Sequence, residues 1–556
     1  MPKQLRSRLP EEISNITREN VSISENEEVF TESEVSSVHI SSDYESDTDE
    51  ENDLCFSSKR KRMMVVSEDD HEDETEIALD GTVWHKMMPG ETPGRVSSFN
   101  IFKGVSGPTG YAKRNIMKGN VSSSFSLILN NSILNNIISC TVIEGRRVFG
   151  SDWCLTKAKL NAFIAILYAR GAYEAKNLKL SYLWSKKWGP AFFSETMCRN
   201  DFTDILRVIR FDQRSQRSQR LVSDKFALIS TIWNAFILNS QDCYKPGVNI
   251  TIDEQLFPTK ARCRFTQYMR NKPSKFGIKF WLASDVSSKY IINGSPYLGK
   301  DETRQSFTPL TEHVVLKLIE PYTGCGRNVT TDNFFTSAAL ASKLLEKKTT
   351  LVGTIRGNKK NLPLFAKQKR DNMPLYSTVL YKSKQCTLTI YKSKPKKKVL
   401  LLSSMHTSIS ILNGKKNLPE TIAFYNETKC GVDITDQMAR KYSVKCGSRR
   451  WSLQVFFNIL DLAALNAWVL YKETTGEKIT RKDYLFQLSE ELAVEYKIGL
   501  SSQPSQPSHE RNTEVRKWCQ IGFCKNNKTS VICNGCKKYV CGKCTLQKTT
   551  ICKKCG

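Results

Sequence analysis

Apolar and polar residues alternate along VNITIDEQLF, residues 248–257, as expected of a β-strand with one buried face. Val248, Ile250 and Ile252 share that face, so the alternation predicts that Asp253 points away from the core. A carboxylate on a rigid strand suits a hard cation such as Mg²⁺, which prefers oxygen ligands. A surface strand ending in a turn aspartate explains the segment without any site, so further carboxylates must decide.

Two later segments supply such carboxylates. The segment NVTTDNFFTS, residues 328–337, predicts a strand that runs into Asp332, followed by a helix over 338–346. In CGVDITDQM, residues 430–438, Asp433 and Asp436 are three positions apart and share one face of a helix. The chain therefore has three carboxylate positions, here called the acidic stations. Asp253 and Asp332 are predicted at strands, and Asp433 with Asp436 on a helix.

The segments between these stations predict the order of the core. Residues 275–284 and 289–293 predict two strands, Thr308 and Pro309 begin an amphipathic helix, and residues 350–355 predict another strand. Three strands, a helix, a strand with an aspartate, a helix and a strand are the order of an α/β ribonuclease H-like core. In that fold, carboxylates from two adjacent strands and a later helix meet at one metal site.

Nine blocks of sequence follow one another in an order that carries a family resemblance. They are MCRNDFTDILRVIRF (197–211), IDEQLF, RNKPSKFGIKFW (270–281), PYLGK (296–300), TTDNFFTS, LVGTIRGNKKNLP (351–363), SSMH (403–406), NETKCGVDITDQM and RRW (449–451). In this order they resemble the transposase of piggyBac elements, over roughly residues 95–556. The resemblance implies that Asp253, Asp332 and Asp433 are catalytic metal ligands, with Asp436 a fourth acidic ligand nearby.

The resemblance also implies a reaction. The expected enzyme is a Mg²⁺- or Mn²⁺-dependent, cut-and-paste DNA transposase that binds transposon terminal repeats, cleaves them through hairpin intermediates and joins them at TTAA targets. Two ions about 3.5–4 Å apart activate the attacking oxygen and stabilise the leaving oxygen in such chemistry. Arg356, Lys359 and Lys360 follow a strand that ends near the site, and the resemblance implies that they hold the DNA backbone. A solvated loop is the alternative explanation for these charges.

Charge is divided unevenly along the 556 residues. The net charge of +27 indicates a polyanionic partner. Residues 1–80 carry 8 Lys and Arg against 23 Asp and Glu, a net of −15, which leaves +42 on the rest. Residues 1–95 are therefore predicted to be a disordered acidic tail, in which KRKR at 59–62 is either a nuclear localisation signal or a chance basic tetrad. The chain lacks a signal peptide and an uninterrupted apolar run of about 18 residues, which predicts a soluble, nuclear protein without a membrane partner.

The remaining boundaries follow from periodicity and composition. Helical stripes predict a helical domain in two parts, 96–247 and 446–500, and the resemblance implies that it dimerises the protein and holds DNA. The catalytic core is expected over 248–361 and, with its last acidic helix, over 422–445. Strand-like runs separated by lysine-rich turns predict a β-rich insertion over 362–421, and Ser, Gln and Pro predict a linker over 501–517.

Eight of the 18 cysteines lie in the last 38 residues, in the predicted domain 518–556. They form four pairs at zinc-ligand spacing: Cys519 and Cys524, Cys533 and Cys536, Cys541 and Cys544, Cys552 and Cys555. Two Zn²⁺ ions use all eight, whereas a disulfide cluster suits a secreted chain. Because only four residues separate Cys536 from Cys541, a cross-brace with pairs one and three on one ion is the better interpretation. The tail resembles the family's repeat-binding domain, although Cys544 stands where some relatives have histidine.

Two other functions compete with an active transposase. A domesticated, transposase-derived protein keeps the fold as a DNA-binding or chromatin protein without cleavage, but it has no need to retain the carboxylates, and all are present here. A protein-recruiting tail like that of a RING ligase leaves the three acidic stations unexplained. The sequence therefore favours the active enzyme.

Overall fold

The computed structural model describes residues 75–90, 101–270, 272–299, 308–368, 372–501, 517–522, 524, 527–546 and 551–552. Residues 1–74 of the predicted acidic tail, with its KRKR tetrad, lie outside the described residues, as do positions 502–516 of the predicted linker.

Residues 110–243 and 451–501 are mainly helical, and the segment between them contains both strands and helices. The helices are α1 (Gly110–Asn115), α2 (Val121–Ile128), α3 (Asn131–Phe149), α4 (Lys157–Ala172), α5 (Leu180–Leu183), α6 (Ala191–Thr196), α7 (Arg199–Val208), α8 (Arg217–Ser223), α9 (Ser230–Cys243), α10 (Leu310–Ile319), α11 (Ala338–Glu346), α12 (Leu364–Lys367), α13 (Glu420–Thr428), α14 (Gly431–Lys441), α15 (Trp451–Thr475) and α16 (Arg481–Ser501). The strands are β1 (Thr75–Ile77), β2 (Val83–Met87), β3 (Gly107–Pro108), β4 (Tyr244–Lys245), β5 (Asn249–Pro258), β6 (Thr266–Tyr268), β7 (Phe276–Asp285), β8 (Ile291–Pro296), β9 (Asn328–Thr331), β10 (Thr350–Thr354), β11 (Thr378–Lys382), β12 (Thr387–Lys394), β13 (Lys397–Ser403), β14 (Ile411–Leu412), β15 (Leu418–Pro419), β16 (Lys517–Trp518), β17 (Lys528–Thr529), β18 (Thr545–Leu546) and β19 (Ile551–Cys552).

Within the described residues, eleven strands form one mixed sheet. Its order is β1-β2-β11-β12-β13-β10-β9-β5-β7-β6, and β8 also pairs with β7. Around β5 the pairing changes direction: β7 runs antiparallel to β5, and β9 runs parallel to it, as β10 does to β9. The strands that carry the first two acidic stations are therefore direct neighbours.

The face of β5 that carries Asp253 differs from the expectation. The alternation predicts that this face points away from the core, but α14 packs on it. Thr251 and Gln255, two positions before and after Asp253, are each only 1% exposed. A strand covered on both faces keeps its polar residues buried when another element supplies hydrogen bonds to them.

Residues 75–90 correct the predicted extent of the tail, which placed them in a disordered segment. Strands β1 and β2, here called the N-terminal hairpin, pair with each other and extend the sheet through β2 and β11. Trp84 of this hairpin is 1% exposed. Its burial, together with the ladder to β11, offsets the conformational entropy that ordering such a short strand costs.

The predicted β-rich insertion continues the sheet that contains β5 and β9. Strand β13 pairs antiparallel with β10, and β12 and β11 follow in order. The insertion therefore extends the sheet on the far side of β10 from β5.

The two predicted parts of the helical domain contact each other, although the sheet-forming segment separates them in the sequence. Helix α16 contacts α4, and α15 contacts α2 and α9. The chain lacks an uninterrupted apolar run of about 18 residues, yet by length and composition helix α15 is long and apolar enough to cross a membrane. Of its apolar window, 94% is buried inside the protein, as in the core helix of a globular domain.

Candidate active site

Asp253 and Asp332 lie side by side where two neighbouring parallel strands meet. The register between β5 and β9 pairs Ile252 with Thr331, so Asp253 is the next residue of β5 and Asp332 directly follows the last residue of β9. Both side chains are half-buried. Parallel strands in this register present adjacent side chains on the same face, so the first two predicted acidic stations are brought together.

The third station comes from the first turn of α14. Asp433 lies there because α14 packs closely on β5, and Gly431 permits the approach. A Cβ atom on Gly431 would lie 2.7 Å from the Thr251 hydroxyl oxygen and 3.0 Å from its Cβ. Helix α14 therefore approaches β5 most closely where Gly431 contacts Thr251, on the face of the strand that also carries Asp253.

Lys272 links Asp433 to β5, and nothing in the sequence pattern predicted its role. Its Nζ lies 3.2 Å from Asp433 Oδ1 and donates to the Glu254 carbonyl across 3.1 Å. Burial lowers the pKa of Lys272, but the charges of Asp433, Asp253 and Glu254 outweigh this effect and raise it overall. The ammonium group therefore stays charged among the carboxylates.

Burial, together with neighbouring negative charge, raises the pKa of Asp253 and of Asp332. Burial raises the pKa of Asp253 well above its usual value, and the charges of Asp332, Glu254 and Asp433 add to the effect. Burial, then the charge of Glu254, raises the pKa of Asp332 to about 6, against the backbone N–H groups of Phe334 and Phe335. A divalent cation would relieve this repulsion, and carboxylate oxygens are the donors that a hard metal ion prefers, although the oxygens of the three aspartates do not all lie within 4.8 Å of one another.

Asp436 has contacts that differ from the expected role of a metal ligand. The residue is 8% exposed, and both carboxylate oxygens have partners. Oδ1 accepts from Gln255 Nε2 at 2.9 Å, and Oδ2 lies 2.7 Å from Arg440 Nη2. Asn458 of α15 in turn donates to Gln255 Oε1 at 2.8 Å. Asp436 thus joins α14 to β5 and α15.

Residues 356–360, here called the basic segment, leave β10 beside the acidic site. The charge of Arg356 lowers the pKa of Asp332, which places the guanidinium within the electrostatic reach of that carboxylate. Arg356 and Lys360 are exposed, and Lys359 is half-buried. The three predicted DNA-binding cations therefore lie on one accessible stretch at the edge of the site.

Glu254 and Lys279 form a second pair that the sequence did not indicate. Lys279 Nζ lies 3.4 Å from Glu254 Oε2 and 5.0 Å from the ring centroid of Phe334, two residues after Asp332. Because Glu254 directly follows Asp253, it adds negative charge to the site. Its only sequence signal is that adjacency.

The first and third cysteine pairs come together in the C-terminal segment, as the cross-brace interpretation predicts. The sulfur atoms of Cys519, Cys524, Cys541 and Cys544 all lie within 4.8 Å of one another. The Cys541 N–H also donates to Cys519 Sγ at 3.4 Å. Four thiolates at this separation suit tetrahedral zinc. Among the described residues this is the one group of three or more candidate ligands so close together.

The other two cysteine pairs are described only in part. Cys533 is buried and Cys536 is half-buried. The side chain of Cys552, and Cys555 as a whole, lie outside the described residues. The second predicted zinc site stays a prediction.

Known proteins resemble this chain over the part that carries the acidic site. The family profile described as Transposase IS4 matches residues 121–468, more than half of the chain and all three acidic stations. Human PiggyBac transposable element-derived protein 3 is 24% identical over 429 residues, covering 72% of this chain and 68% of that protein. Human PiggyBac transposable element-derived protein 2 is 22% identical over 334 residues, covering 57% of this chain and 56% of that protein.

A solved structure is similar over a longer stretch. The chain resembles that of a piggyBac transposase in a cryo-EM structure of the synaptic complex with hairpin DNA, with 29% identity and a TM-score of 0.68. The likeness covers 82% of this chain and 100% of that one.

Proposed function

The chain belongs to the piggyBac family of transposases, and from that membership we propose that it is an active DNA transposase. The observation that carries the proposal is the side-by-side placement of Asp253 and Asp332, with Asp433 packed against the same strand. A protein that only binds DNA needs none of these half-buried, mutually repelling carboxylates. The strand order β8-β7-β5-β9-β10, antiparallel on one side of β5 and parallel on the other, supports a ribonuclease H-like core.

Asp253, Asp332 and Asp433 are proposed to hold two Mg²⁺ or Mn²⁺ ions. Bound there, such ions supply Lewis-acid activation of an oxygen nucleophile and stabilise the leaving oxygen in a displacement at phosphorus. Lys272 keeps Asp433 directed at β5, across the 3.2 Å ion pair, until the cations enter. The exposed basic segment holds the DNA backbone beside the carboxylates.

The substrates follow by analogy with the solved relative. Its name records a synaptic complex with hairpin DNA, and we extend to this chain a hairpin intermediate, a TTAA target and a homodimer as the working form. The positive charge of the chain beyond residue 80 supports a DNA partner. An enzyme acting on genomic DNA is expected in the nucleus.

The cysteine-rich domain is proposed to bind two Zn²⁺ ions and to recognise the terminal repeat. The group formed by Cys519, Cys524, Cys541 and Cys544 supports the first ion. The second ion is assigned to Cys533, Cys536, Cys552 and Cys555.

One comparison favours the competing function. The human relatives at 22–24% identity carry names that describe them as transposable element-derived proteins. A derived DNA-binding protein is therefore the second candidate, and cleavage distinguishes the two.

The deciding experiment is cleavage of a labelled duplex that carries a cognate transposon end next to TTAA, in the presence of Mg²⁺. We expect the wild-type chain to cut at the end and Asp253→Ala to bind the same duplex without cutting. Tight binding without cleavage by the wild type, on a duplex known to be cognate, would favour the derived DNA-binding protein.

A further inference from the structure

The N-terminal hairpin contacts the chain directly after the basic segment. The indole N–H of Trp84 donates to the Asn361 carbonyl across 2.8 Å, although the two residues are 277 positions apart. Leu362, the next residue, is fully buried in the core. A buried tryptophan whose N–H has a partner is a strong local anchor, because both its apolar area and its polar group are satisfied.

Glu76 of the same hairpin makes a second attachment. One carboxylate oxygen accepts the backbone N–H of Phe365 at 3.1 Å, and the other accepts the hydroxyl of Tyr381 in β11. Lys398 of β13 donates to the Phe365 carbonyl at 3.1 Å. Hydrogen bonds that involve an ionised group are roughly twice as strong as neutral ones. The backbone of Phe365 is therefore held at its N–H by Glu76 and at its carbonyl by Lys398.

The opposite end of the basic segment is fixed by the catalytic sheet. Ile355, which precedes Arg356, donates its N–H to the Leu400 carbonyl of β13 at 2.9 Å. The basic segment therefore spans from the strand beside Asp332 to the contacts made by Trp84 and Glu76. Cations on a loop held at both ends lose less conformational freedom when they bind phosphate.

We propose that the N-terminal hairpin is a positioning element of the DNA-binding surface, and that Trp84 and Glu76 act by holding the basic segment towards the acidic site. The inference rests on the proposed DNA contacts of Arg356, Lys359 and Lys360. It concerns a segment that precedes the family match at residue 121. It is also separate from any effect of the acidic tail, because the tail ends where the hairpin begins.

Two truncations separate the hairpin from the tail. A chain that starts at residue 75 lacks the tail and keeps the hairpin, whereas a chain that starts at residue 91 lacks both. Equilibrium binding to a transposon-end duplex is measured over roughly 50–300 mM salt. The magnitude of the slope of log K against log salt decreases by about 0.9 for each phosphate that the protein ceases to neutralise. We expect the first truncation to keep the parental slope, and the second to reduce its magnitude by about 1–3. Trp84→Ala in the full chain should reproduce that reduction.

A triple variant distinguishes the hairpin from the cations. Arg356→Ala, Lys359→Ala and Lys360→Ala together should reduce the slope by about 2–3. Adding Trp84→Ala to this variant should then change the slope no further. The proposal would be overturned if Trp84→Ala reduced the salt slope by the same amount in the triple variant as in the parental chain. A parental slope in the chain that starts at residue 91 would also overturn it. An unchanged slope in the triple variant would instead refute the proposed DNA contacts.

Hydrogen exchange controls for general unfolding. In Trp84→Ala the amides of Asn361, Leu362, Leu364 and Phe365 should exchange at least tenfold faster, while the amide of Ile252 in β5 keeps its protection. Should Trp84→Ala fail to fold, Glu76→Ala decides, because it removes both oxygens that accept from Phe365 and Tyr381. Faster exchange of the Phe365 amide with a smaller salt slope is expected for that variant, and unchanged values of both would overturn the proposal.

Discussion

Asp433 and Asp436 are both aspartates of α14, but their surroundings suit them to different roles. Asp433 is 41% exposed at the side chain and shares its oxygen with a lysine, which a cation can displace. Asp436, one helical turn further, is enclosed and bonded through both oxygens. A ligand for a hard cation needs free oxygen lone pairs, so Asp433 suits that role and Asp436 suits the positioning of α14.

Replacing each aspartate with asparagine tests this distinction. Asp433→Asn should weaken Mn²⁺ binding at least tenfold, because an amide is a poor ligand, and should leave stability nearly unchanged. Asp436→Asn should keep the Mn²⁺ affinity but lower the free energy of unfolding by about 1–3 kcal/mol, since Arg440 loses its charged partner. Calorimetric Mn²⁺ titration and urea unfolding measure the two effects. Equal losses of Mn²⁺ affinity would return Asp436 to the metal ligands.

Asp461 of α15 gives a pH dependence that does not involve the proposed metal. It accepts hydrogen bonds from Ser443 Oγ and from Val444 N–H at 2.5 and 2.8 Å. Burial raises its pKa to about 7, although these hydrogen bonds and Arg481 act in the opposite direction. Between about pH 4 and 7 the folded protein therefore keeps a proton that the unfolded chain has lost.

The free energy of unfolding should consequently decrease as pH rises through that range, by up to about 1.4 kcal/mol per pH unit from this group. In Asp461→Asn the contribution should disappear, because the amide does not titrate and its oxygen still accepts from Val444. Denaturant unfolding at several pH values, compared between the parent and the variant, measures the difference. Identical slopes for the two chains would contradict the assignment.

At the scale of elements, the site depends on how closely α14 approaches β5. Thr251, Asp253 and Gln255 alternate along the strand, and Gly431, Asp433 and Asp436 follow the helix beside them. The single position without a side chain sets the spacing of all the others.

Gly431→Ala should separate the helix from the strand. The new Cβ would lie 2.7 Å from the Thr251 hydroxyl oxygen, so we expect a loss of about 1–3 kcal/mol in stability and roughly 100-fold in cleavage rate. Gly447→Ala is the matched control, because no atom lies within 4 Å of a Cβ there. Adding Thr251→Ala to Gly431→Ala should recover part of the cleavage rate. A parental rate in Gly431→Ala would show that the close approach is unimportant.

The sequence predicted the elements whose side chains alternate clearly, and missed those whose partners are distant. The strand expected at 275–284 is Phe276–Asp285, and the helix expected at 338–346 is Ala338–Glu346. The N-terminal hairpin escaped because VWHKM is short and charged, and its pairing with β11 has no local signal. Within the site, spacing placed Asp433 and Asp436 on one face, but it contained no information about Gln255, Arg440 or Lys272.

At the scale of the whole molecule, the proposed recognition of DNA and the proposed chemistry belong to different parts of the chain. The proposed repeat-binding cysteines follow α16, whereas the acidic site and basic segment precede it. Specific and nonspecific affinity for DNA should therefore be separable.

A chain ending at Ser501 should lose preference for transposon ends but keep salt-sensitive binding to any duplex. A zinc chelator added to the full chain should cause the same loss, because a small domain held by metal unfolds without it. Competition between cognate and scrambled duplexes measures the preference. A truncated chain that still prefers the cognate duplex would remove the cysteine-rich domain from recognition.

The position of the N-terminal hairpin also affects the order in which the sheet can fold during synthesis. Trp84 leaves the ribosome 277 residues before Asn361. At about 5–20 residues per second this delay is roughly 14–55 s. During that time β2 has no β11 with which to pair, and the apolar residues of the hairpin remain available to chaperones or to other nascent chains. Among the described strands, β2 is thus synthesised early but reaches its neighbour β11 late, so this edge of the sheet can form only after β11 has emerged.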